Sequence, residues 1–154
     1  MPPVSRFLTE QGIAHRVFRH AQPIHSLEEA ARERNQAPGQ LIRSILFRLS
    51  AENFFMVLAA GPGQISWPAL RARFGQSRLT MASEQEVLAV TGYRIGTVSP
   101  LGLPAPLRML ADEAVFTCDE ISIGSGERNV AVIMASADLR RLLPDLEIGH
   151  WMAA

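Results

Sequence analysis

Lysine is absent from the 154-residue sequence, in which all 15 basic residues are arginine. A chain without lysine cannot form a side-chain Schiff base, and it has no side-chain amine whose pKa burial could tune. Fifteen acidic residues balance the arginines, so the formal net charge is zero. A neutral chain is not expected to bind nucleic acid tightly and nonspecifically, and DNA is not expected as a partner; a local basic face stays compatible with this composition.

Cysteine and long apolar runs are scarce as well. Cys118 is the only cysteine, which excludes an internal disulfide and a cysteine metal cluster, and we expect it to be a small, buried apolar residue. No apolar run approaches the roughly 20 residues that span a membrane, and residues 1–10 lack the apolar segment of a signal peptide. These absences favour a cytoplasmic protein without a membrane partner.

What is present is an ordinary globular composition, with 47% hydrophobic and 19% charged residues. The length suits a single domain covering residues 1–154. Predicted helices cover 5–11, 26–35, 67–74, 83–91 and 136–143, and predicted strands cover 15–20, 41–49, 54–60, 78–81, 107–111, 114–117, 120–123 and 129–134. Short connections such as 50–53 join neighbouring strands, which argues against a purely parallel sheet. The pattern predicts an α+β domain with a mixed, curved sheet flanked by helices.

Serine residues mark several predicted helix starts. Ser26 with Glu29 and Ser83 with Glu86 each have the S-x-x-E spacing of a capping box. Ser136 is expected to cap the last helix. Residues 91–106, TGYRIGTVSPLGLPAP, contain three glycines and three prolines, which indicates an ordered loop with unusual backbone conformations.

Four stretches together resemble the YbaK / prolyl-tRNA-editing domain family, and their order and spacing match it across nearly the whole chain. They are SLEEA at 26–30, LIRSILF at 41–47, TGYRIGTVSP at 91–100 with a G-x-x-x-P loop, and the hairpin of 121–134 with its following helix. The resemblance implies a barrel-like mixed β-sheet surrounded by helices. It also implies hydrolysis of the ester of mischarged tRNA, by a free-standing trans-editing protein acting on tRNA-Pro or a similar tRNA.

The same resemblance implies a pocket built from strand 41–47, the G-x-x-x-P loop and the last hairpin turn. Backbone amides freed in the loop are expected to face the developing oxyanion, and glycine lets the backbone approach the terminal ribose. The residues expected to serve catalysis are Arg43, Gly96, Thr97, Val98, Ser99 and Pro100. The residues expected to bind substrate are His25, Ser44, Tyr93, Gly102, Gly124 and Gly126.

Arg43 departs from the family pattern, which usually has lysine followed by threonine or serine on this strand. Arginine keeps the positive charge and offers forked donors, but it is wider and its fixed protonation excludes proton transfer. Either charge alone supports the deacylase reaction, or the chain is a relative that only binds an aminoacyl-tRNA end or a small amino-acid-like ligand. A regulatory partner of a synthetase, with no ligand of its own, is a third possibility.

The remaining candidates predict little further chemistry. His15, His20 and His25 lack the spacing of metal ligands, so we expect neither a metal nor another cofactor. The expected partners are the acceptor end of aminoacyl-tRNA and, as a further option, an aminoacyl-tRNA synthetase. Trp151, near the end of the sequence, either anchors a partner or packs back on the domain.

Overall fold

Two β-sheets form the centre of the structure, a computed structural model that describes residues 1–154. The elements in chain order are α1 (Pro3–Glu10), β1 (His15–Arg19), α2 (Leu27–Glu33), β2 (Ile42–Ser50), β3 (Asn53–Ala60), α3 (Trp67–Phe74), β4 (Thr80–Met81), α4 (Glu84–Thr91), β5 (Arg108–Asp112), β6 (Glu120–Gly124), β7 (Val130–Ala135), α5 (Ser136–Leu142) and β8 (Glu147–Gly149). Short 3-10 turns occupy Pro38–Gln40 and Glu113–Phe116. No helix is both long enough and apolar enough to cross a bilayer.

The sheets have mixed strand directions, as the sequence predicts. The five-stranded sheet has the order β4-β2-β3-β5-β8, with β2 antiparallel to β3 and β5 parallel to both β3 and β8. The three-stranded sheet has the order β1-β7-β6 and is antiparallel. The predicted α+β class is therefore confirmed. The sheets touch through one parallel bridge between Leu41 and Ser122, so they do not close into a barrel.

Side-chain caps and left-handed glycines set most helix ends. Ser83 and Glu86 form the predicted capping box at the start of α4, and Gly92 ends that helix at φ +77°. Ser26 accepts a hydrogen bond from the Glu29 amide, but the Glu29 carboxylate does not return the bond, so only half of that predicted box forms.

Two sequence predictions about local structure are wrong, and one strand was not predicted. The predicted strand 114–117 is a 3-10 turn, because the Asp112 carboxylate accepts the Ala114 amide and starts a helical turn there. Ser136 is not a cap, since it is the first residue of α5 and its hydroxyl donates to the carbonyl of Cys118. The predictions also missed β8, a three-residue strand whose polar and glycine content gives no strand signal.

The hydrophobic core lies on both faces of the five-stranded sheet. Between the sheets, the main cluster includes Leu58 of β3 and Val132 of β7. On the outer face, Phe47 and Phe55 stack at 5.2 Å between ring centroids, and Trp151 packs against that second cluster. The Trp151 amide also donates to Asp112 at 2.9 Å, so this residue packs back on the domain.

Candidate functional site

A cleft of about 470 Å³ opens at the junction of the two sheets, within the range usual for small-ligand sites. One edge of β2 pairs with β3 along its length. On the other edge, Leu41 bridges to β6 and residues Phe47 and Arg48 pair with β4, so residues 42–45 have no strand partner there. Backbone groups on an unpaired edge require water or a ligand as a partner, and this gap forms one wall of the cleft.

The lining of the cleft is mostly apolar. Its polar side chains are Ser26, Arg34, Arg43, Ser44, Ser122 and Asn129. No aspartate, glutamate or histidine lines it, so the protein offers no conventional general base there. No group of three or more histidine, cysteine, aspartate and glutamate side chains is placed to hold a metal ion.

Ser44 presents a buried hydroxyl that has no hydrogen-bond partner in the protein. Alternate residues of a strand share a face, so Ser44 lies on the face of Ile42 and Leu46, which belong to the core between the sheets. A buried hydroxyl without a partner costs free energy, about 1–3 kcal/mol, unless a water or a ligand completes it. Ser44, a residue of the cleft lining, therefore has a hydroxyl with unused hydrogen-bonding capacity.

The Arg43 side chain lies on the face of β2 opposite to Ser44, and its guanidinium is already hydrogen-bonded within the protein. Nε donates to the carbonyl of Gly61 at 2.8 Å, and a terminal nitrogen donates to the carbonyl of Gly63. Neither glycine lines the cleft. Partial burial lowers the pKa of Arg43 below its ordinary value. The guanidinium thus ties β2 to the turn after β3, although the residue itself is part of the cleft wall.

The G-x-x-x-P loop approaches the last hairpin more closely than any side chain would allow. A Cβ on Gly124 would lie 2.0 Å from the Val98 carbonyl oxygen and 2.9 Å from that of Thr97. The Gly126 amide donates to the Thr97 carbonyl at 2.9 Å, which fixes the loop against the hairpin turn. Glycine at 124 is required for this contact, and it places Gly96 and Val98 in the cleft wall.

Three amides of this loop, those of Gly96, Val98 and Ser99, have no acceptor within the protein, and Gly96 and Val98 are the two that line the cleft. The Thr97 amide, by contrast, donates to Arg94. Gly96 has φ +86° and no atom within 4 Å of a built Cβ, so its backbone is open to solvent. Unpaired amides in a cleft wall are the type of donor that stabilises an oxyanion.

The other loop residues hold the loop together. The Tyr93 hydroxyl donates to the Leu101 carbonyl at 2.6 Å, and burial raises the pKa of this phenol. The Ser99 hydroxyl is fully buried and accepts from the Leu101 amide. The Thr97 hydroxyl donates to the carbonyl of Arg94. These three side chains make the internal bonds of the loop and do not line the cleft.

The structure divides the residues predicted from the sequence into two groups. The cleft brings together Arg43, Ser44, Gly96, Val98 and Gly124. Outside it lie Thr97, Ser99, Pro100, Tyr93, Gly102, Gly126 and the exposed His25. Tyr93, Thr97, Gly102 and Gly126 border a second depression, of about 930 Å³ and with few hydrophobic residues in its lining, on the other side of the loop. The functional roles assigned to all twelve residues stay predictions.

Sequence reasoning missed Arg34 and Asn129, which also line the cleft. Arg34 follows the end of α2, where an arginine ordinarily interacts with the helix terminus and attracts no notice. Asn129 has φ +61°, a left-handed conformation that asparagine tolerates better than most residues. Its position at the end of a glycine-containing turn was the available signal.

The sequence profile of the family described as the aminoacyl-tRNA editing domain matches residues 21–142. That span includes every residue of the cleft named above. The chain belongs to the aminoacyl-tRNA editing domain family. The resemblance found in the sequence motifs is thereby confirmed.

Relatives of this editing domain occur both as free proteins and within larger ones. The chain is 26% identical over 139 residues to the multifunctional Ser/Thr-tRNA deacylase ProXp-y of Escherichia coli K12, covering 88% of this chain and 83% of that protein. A proline–tRNA ligase of Trichlorobacter lovleyi is 33% identical over 86 residues, which are 56% of this chain. The chain spans only 15% of that ligase's length.

The fold also has a close counterpart among solved structures. A crystal structure of a protein proposed to be a trans-editing enzyme for prolyl tRNA synthetase superposes with a TM-score of 0.87. The superposition covers 99% of this chain and 96% of the other, at 22% sequence identity. At that identity, the likeness establishes that the two proteins share the editing-domain fold.

Proposed function

We propose that this editing domain acts in trans as a hydrolase that removes the amino acid from mischarged aminoacyl-tRNA, with the acceptor end of the tRNA entering the cleft. The observation that carries this proposal is the set of unused donors around one cleft. These are the buried Ser44 hydroxyl on β2 and the unpaired amides of Gly96 and Val98 on the facing loop.

The reaction requires water to attack the ester carbonyl carbon. The negative charge then develops on the carbonyl oxygen, where fixed neutral donors lower the barrier without a change of protonation state. The attacking water gives up a proton as it adds, and collapse of the intermediate breaks the bond to the ribose oxygen. The ribose oxygen takes up that proton, so the products are the free amino acid and the free hydroxyl of the tRNA. No acidic or histidine side chain lines the cleft, so we assign the transfer of that proton to the neighbouring ribose hydroxyl of the substrate.

The amino acid to be removed is proposed to be small. The lining of the cleft is mostly apolar, and close contact between Gly124 and the loop backbone limits the space beside them. The E. coli relative is named a Ser/Thr-tRNA deacylase, and the ligase relatives charge tRNA with proline by their name. We therefore propose mischarged tRNA-Pro, or a similar tRNA carrying a small amino acid, as the substrate.

A panel of aminoacyl-tRNAs tests this proposal. Alanyl, seryl, threonyl and cysteinyl esters of tRNA-Pro, with prolyl-tRNA-Pro as the cognate comparison, are incubated with the protein and with buffer alone. We expect at least one mischarged ester to be hydrolysed well above the spontaneous rate. Ser44→Ala should lower kcat by about 10–100-fold if its hydroxyl bonds to the charged transition state, whereas Ser50→Ala at the exposed end of the same strand should not.

Binding without hydrolysis is the second candidate function. Two observations favour it. The Arg43 guanidinium bonds to the Gly61 and Gly63 carbonyls and is therefore not available to the ester, and the cleft lining contains no side chain that could act as a general base. Under this alternative, aminoacyl-tRNA or a small amino-acid-like ligand protects the cleft while every ester decays at the rate seen in buffer.

A further inference from the structure

A partly buried chain of hydrogen bonds holds a second arginine at the cleft. Arg34 Nε donates to Nε2 of His20 at 3.0 Å, and one terminal nitrogen donates to the Ser122 hydroxyl, also at 3.0 Å. His20 Nδ1 lies 2.7 Å from a carboxylate oxygen of Glu33. Arg34 and Ser122 both line the cleft, whereas His20 and Glu33 do not.

This chain of bonds has one consistent proton arrangement. A guanidinium only donates, so Nε2 of His20 accepts and the ring proton resides on Nδ1, which donates to Glu33. The His20 side chain has 0% exposure, so the ring is held in place by packing as well as by these two bonds. A guanidinium anchored at two nitrogens by a rigid partner and a buried serine is fixed in orientation before any ligand arrives.

Most N–H donors of the Arg34 guanidinium make no hydrogen bond within the protein. A guanidinium has five N–H donors, and only two of those of Arg34 are engaged. Burial lowers the pKa of Arg34 to about 10, with the Glu33 carboxylate acting in the opposite direction. The group is therefore a cation at neutral pH. Arg43, the other arginine of the cleft, has its fork bonded to two backbone carbonyls.

We propose that Arg34 is the cationic group of this cleft and that its free donors bind an anionic oxygen of the substrate. That oxygen belongs either to the phosphate of the terminal nucleotide or to the oxyanion that develops at the ester carbon. The inference rests on the proposed function. It places the positive charge on Arg34, which follows α2, whereas the family pattern has the charge on β2.

Steady-state deacylation of the best mischarged tRNA, together with the affinity of an uncharged acceptor-stem minihelix ending in CCA, tests the proposal. The variants are Arg34→Gln, Arg34→Lys, and Arg32→Gln as a matched control. Arg32 is exposed on the last turn of α2 and lies outside the cleft. We expect Arg34→Gln to lower kcat/KM by about 10–100-fold, the usual range for a hydrogen bond to a charged group. Lysine should restore part of the loss, and Arg32→Gln should match wild type.

The pattern of the loss separates the two sources of the oxygen. Contact with the terminal phosphate raises KM and weakens binding of the uncharged minihelix, whereas contact with the oxyanion lowers kcat and leaves both unchanged. Thermal unfolding verifies that Arg34→Gln is folded. If it is not, Ser122→Ala supplies the test, because it removes one anchor and keeps the charge, and a shift in KM or kcat at unchanged Tm supports the proposal.

The result against the inference is distinct from failure of the proposed function. If wild type hydrolyses esters while folded Arg34→Gln retains its kcat, KM and minihelix affinity, the role of Arg34 is refuted and the deacylase assignment stands. If wild type hydrolyses none, the deacylase assignment fails. The affinity for the uncharged minihelix then tests the role of Arg34. Weaker binding by Arg34→Gln than by wild type supports that role, and equal binding refutes it.

Discussion

The substitution Gly124→Ala is expected to push the G-x-x-x-P loop away from the last hairpin. The added methyl carbon would lie 2.0 Å from the Val98 carbonyl oxygen and 2.8 Å from the Val98 carbonyl carbon. A carbon and a carbonyl oxygen ordinarily approach to roughly 3.3 Å, so the loop and the hairpin must separate by about 1 Å. All three atoms nearest to that methyl belong to the backbone, so no side-chain rotation can relieve the overlap.

The expected effect is large on rate and moderate on stability. The displaced atoms belong to the loop that carries the Gly96 and Val98 amides. A misplacement of about 1 Å in such a site can cost on the order of a hundredfold in rate. Overpacking of this kind costs about 1–3 kcal/mol of folding free energy. We expect kcat/KM for the best mischarged tRNA to fall by about a hundredfold in protein that is still folded.

Gly75→Ala is the matched control for lost stability. Gly75 ends α3 at φ +62°, and a Cβ built there meets no atom within 4 Å. Alanine at this left-handed position costs about 1–2 kcal/mol without moving the cleft. Both variants should therefore lose thermal stability, and only Gly124→Ala should lose activity. Wild-type kcat/KM in folded Gly124→Ala would refute the claim that loop placement governs the reaction.

Three further predictions follow from the same contacts. Burial raises the pKa of Tyr93, the only tyrosine, so its absorbance titration should have a midpoint above pH 10 in the folded protein. The free energy of unfolding should therefore fall as the pH rises past the pKa of tyrosine in the unfolded chain, near 10. A midpoint at pH 10 in the folded protein would contradict the burial of Tyr93. Arg43→Lys should lower Tm by several degrees, because one amine cannot span the Gly61 and Gly63 carbonyls, and an unchanged Tm would show that this tie is weak. Affinity for tRNA should fall with salt at a logarithmic slope of only about 2, because the net charge is zero and few arginines, such as Arg94 and Arg128 beside the second depression, are exposed on the neighbouring surface. A slope of about 6 or more would contradict this expectation.

Local chemistry made much of the fold predictable. The Ser83–Glu86 capping box and Gly92 define α4 from short-range signals alone, and the short connection at 50–53 makes β2 and β3 antiparallel neighbours. The failures have two causes, a local cap that the apolar pattern conceals and a strand pairing that exists only in the folded chain. Residues 114–117 carry a strand-like apolar pattern that the Asp112 cap overrides, and β8 forms because β5 offers it an edge.

The candidate site was predictable only as a set of segments. The motifs bring β2, the loop and the hairpin together, but which side chains enter the cleft depends on the strand face and on bonds made elsewhere. The predicted catalytic role of Arg43 stays a prediction, but the bonds of its guanidinium to the turn after β3 could not be read from the sequence. Arg34 went unnoticed because its anchor, His20, follows β1 and contacts Arg34 only in the folded chain.

The most direct test of the central claim is the rate of ester loss from seryl-tRNA-Pro under single-turnover conditions, with wild type, Ser44→Ala and buffer alone in parallel. The account predicts a wild-type rate far above that in buffer, and a Ser44→Ala rate about 10–100-fold lower than wild type. The same comparison on alanyl-, cysteinyl- and threonyl-tRNA-Pro allows for a different small amino acid. Decay of all these esters at the buffer rate, in the presence of folded protein that binds the tRNA, would contradict hydrolysis and leave a binding domain.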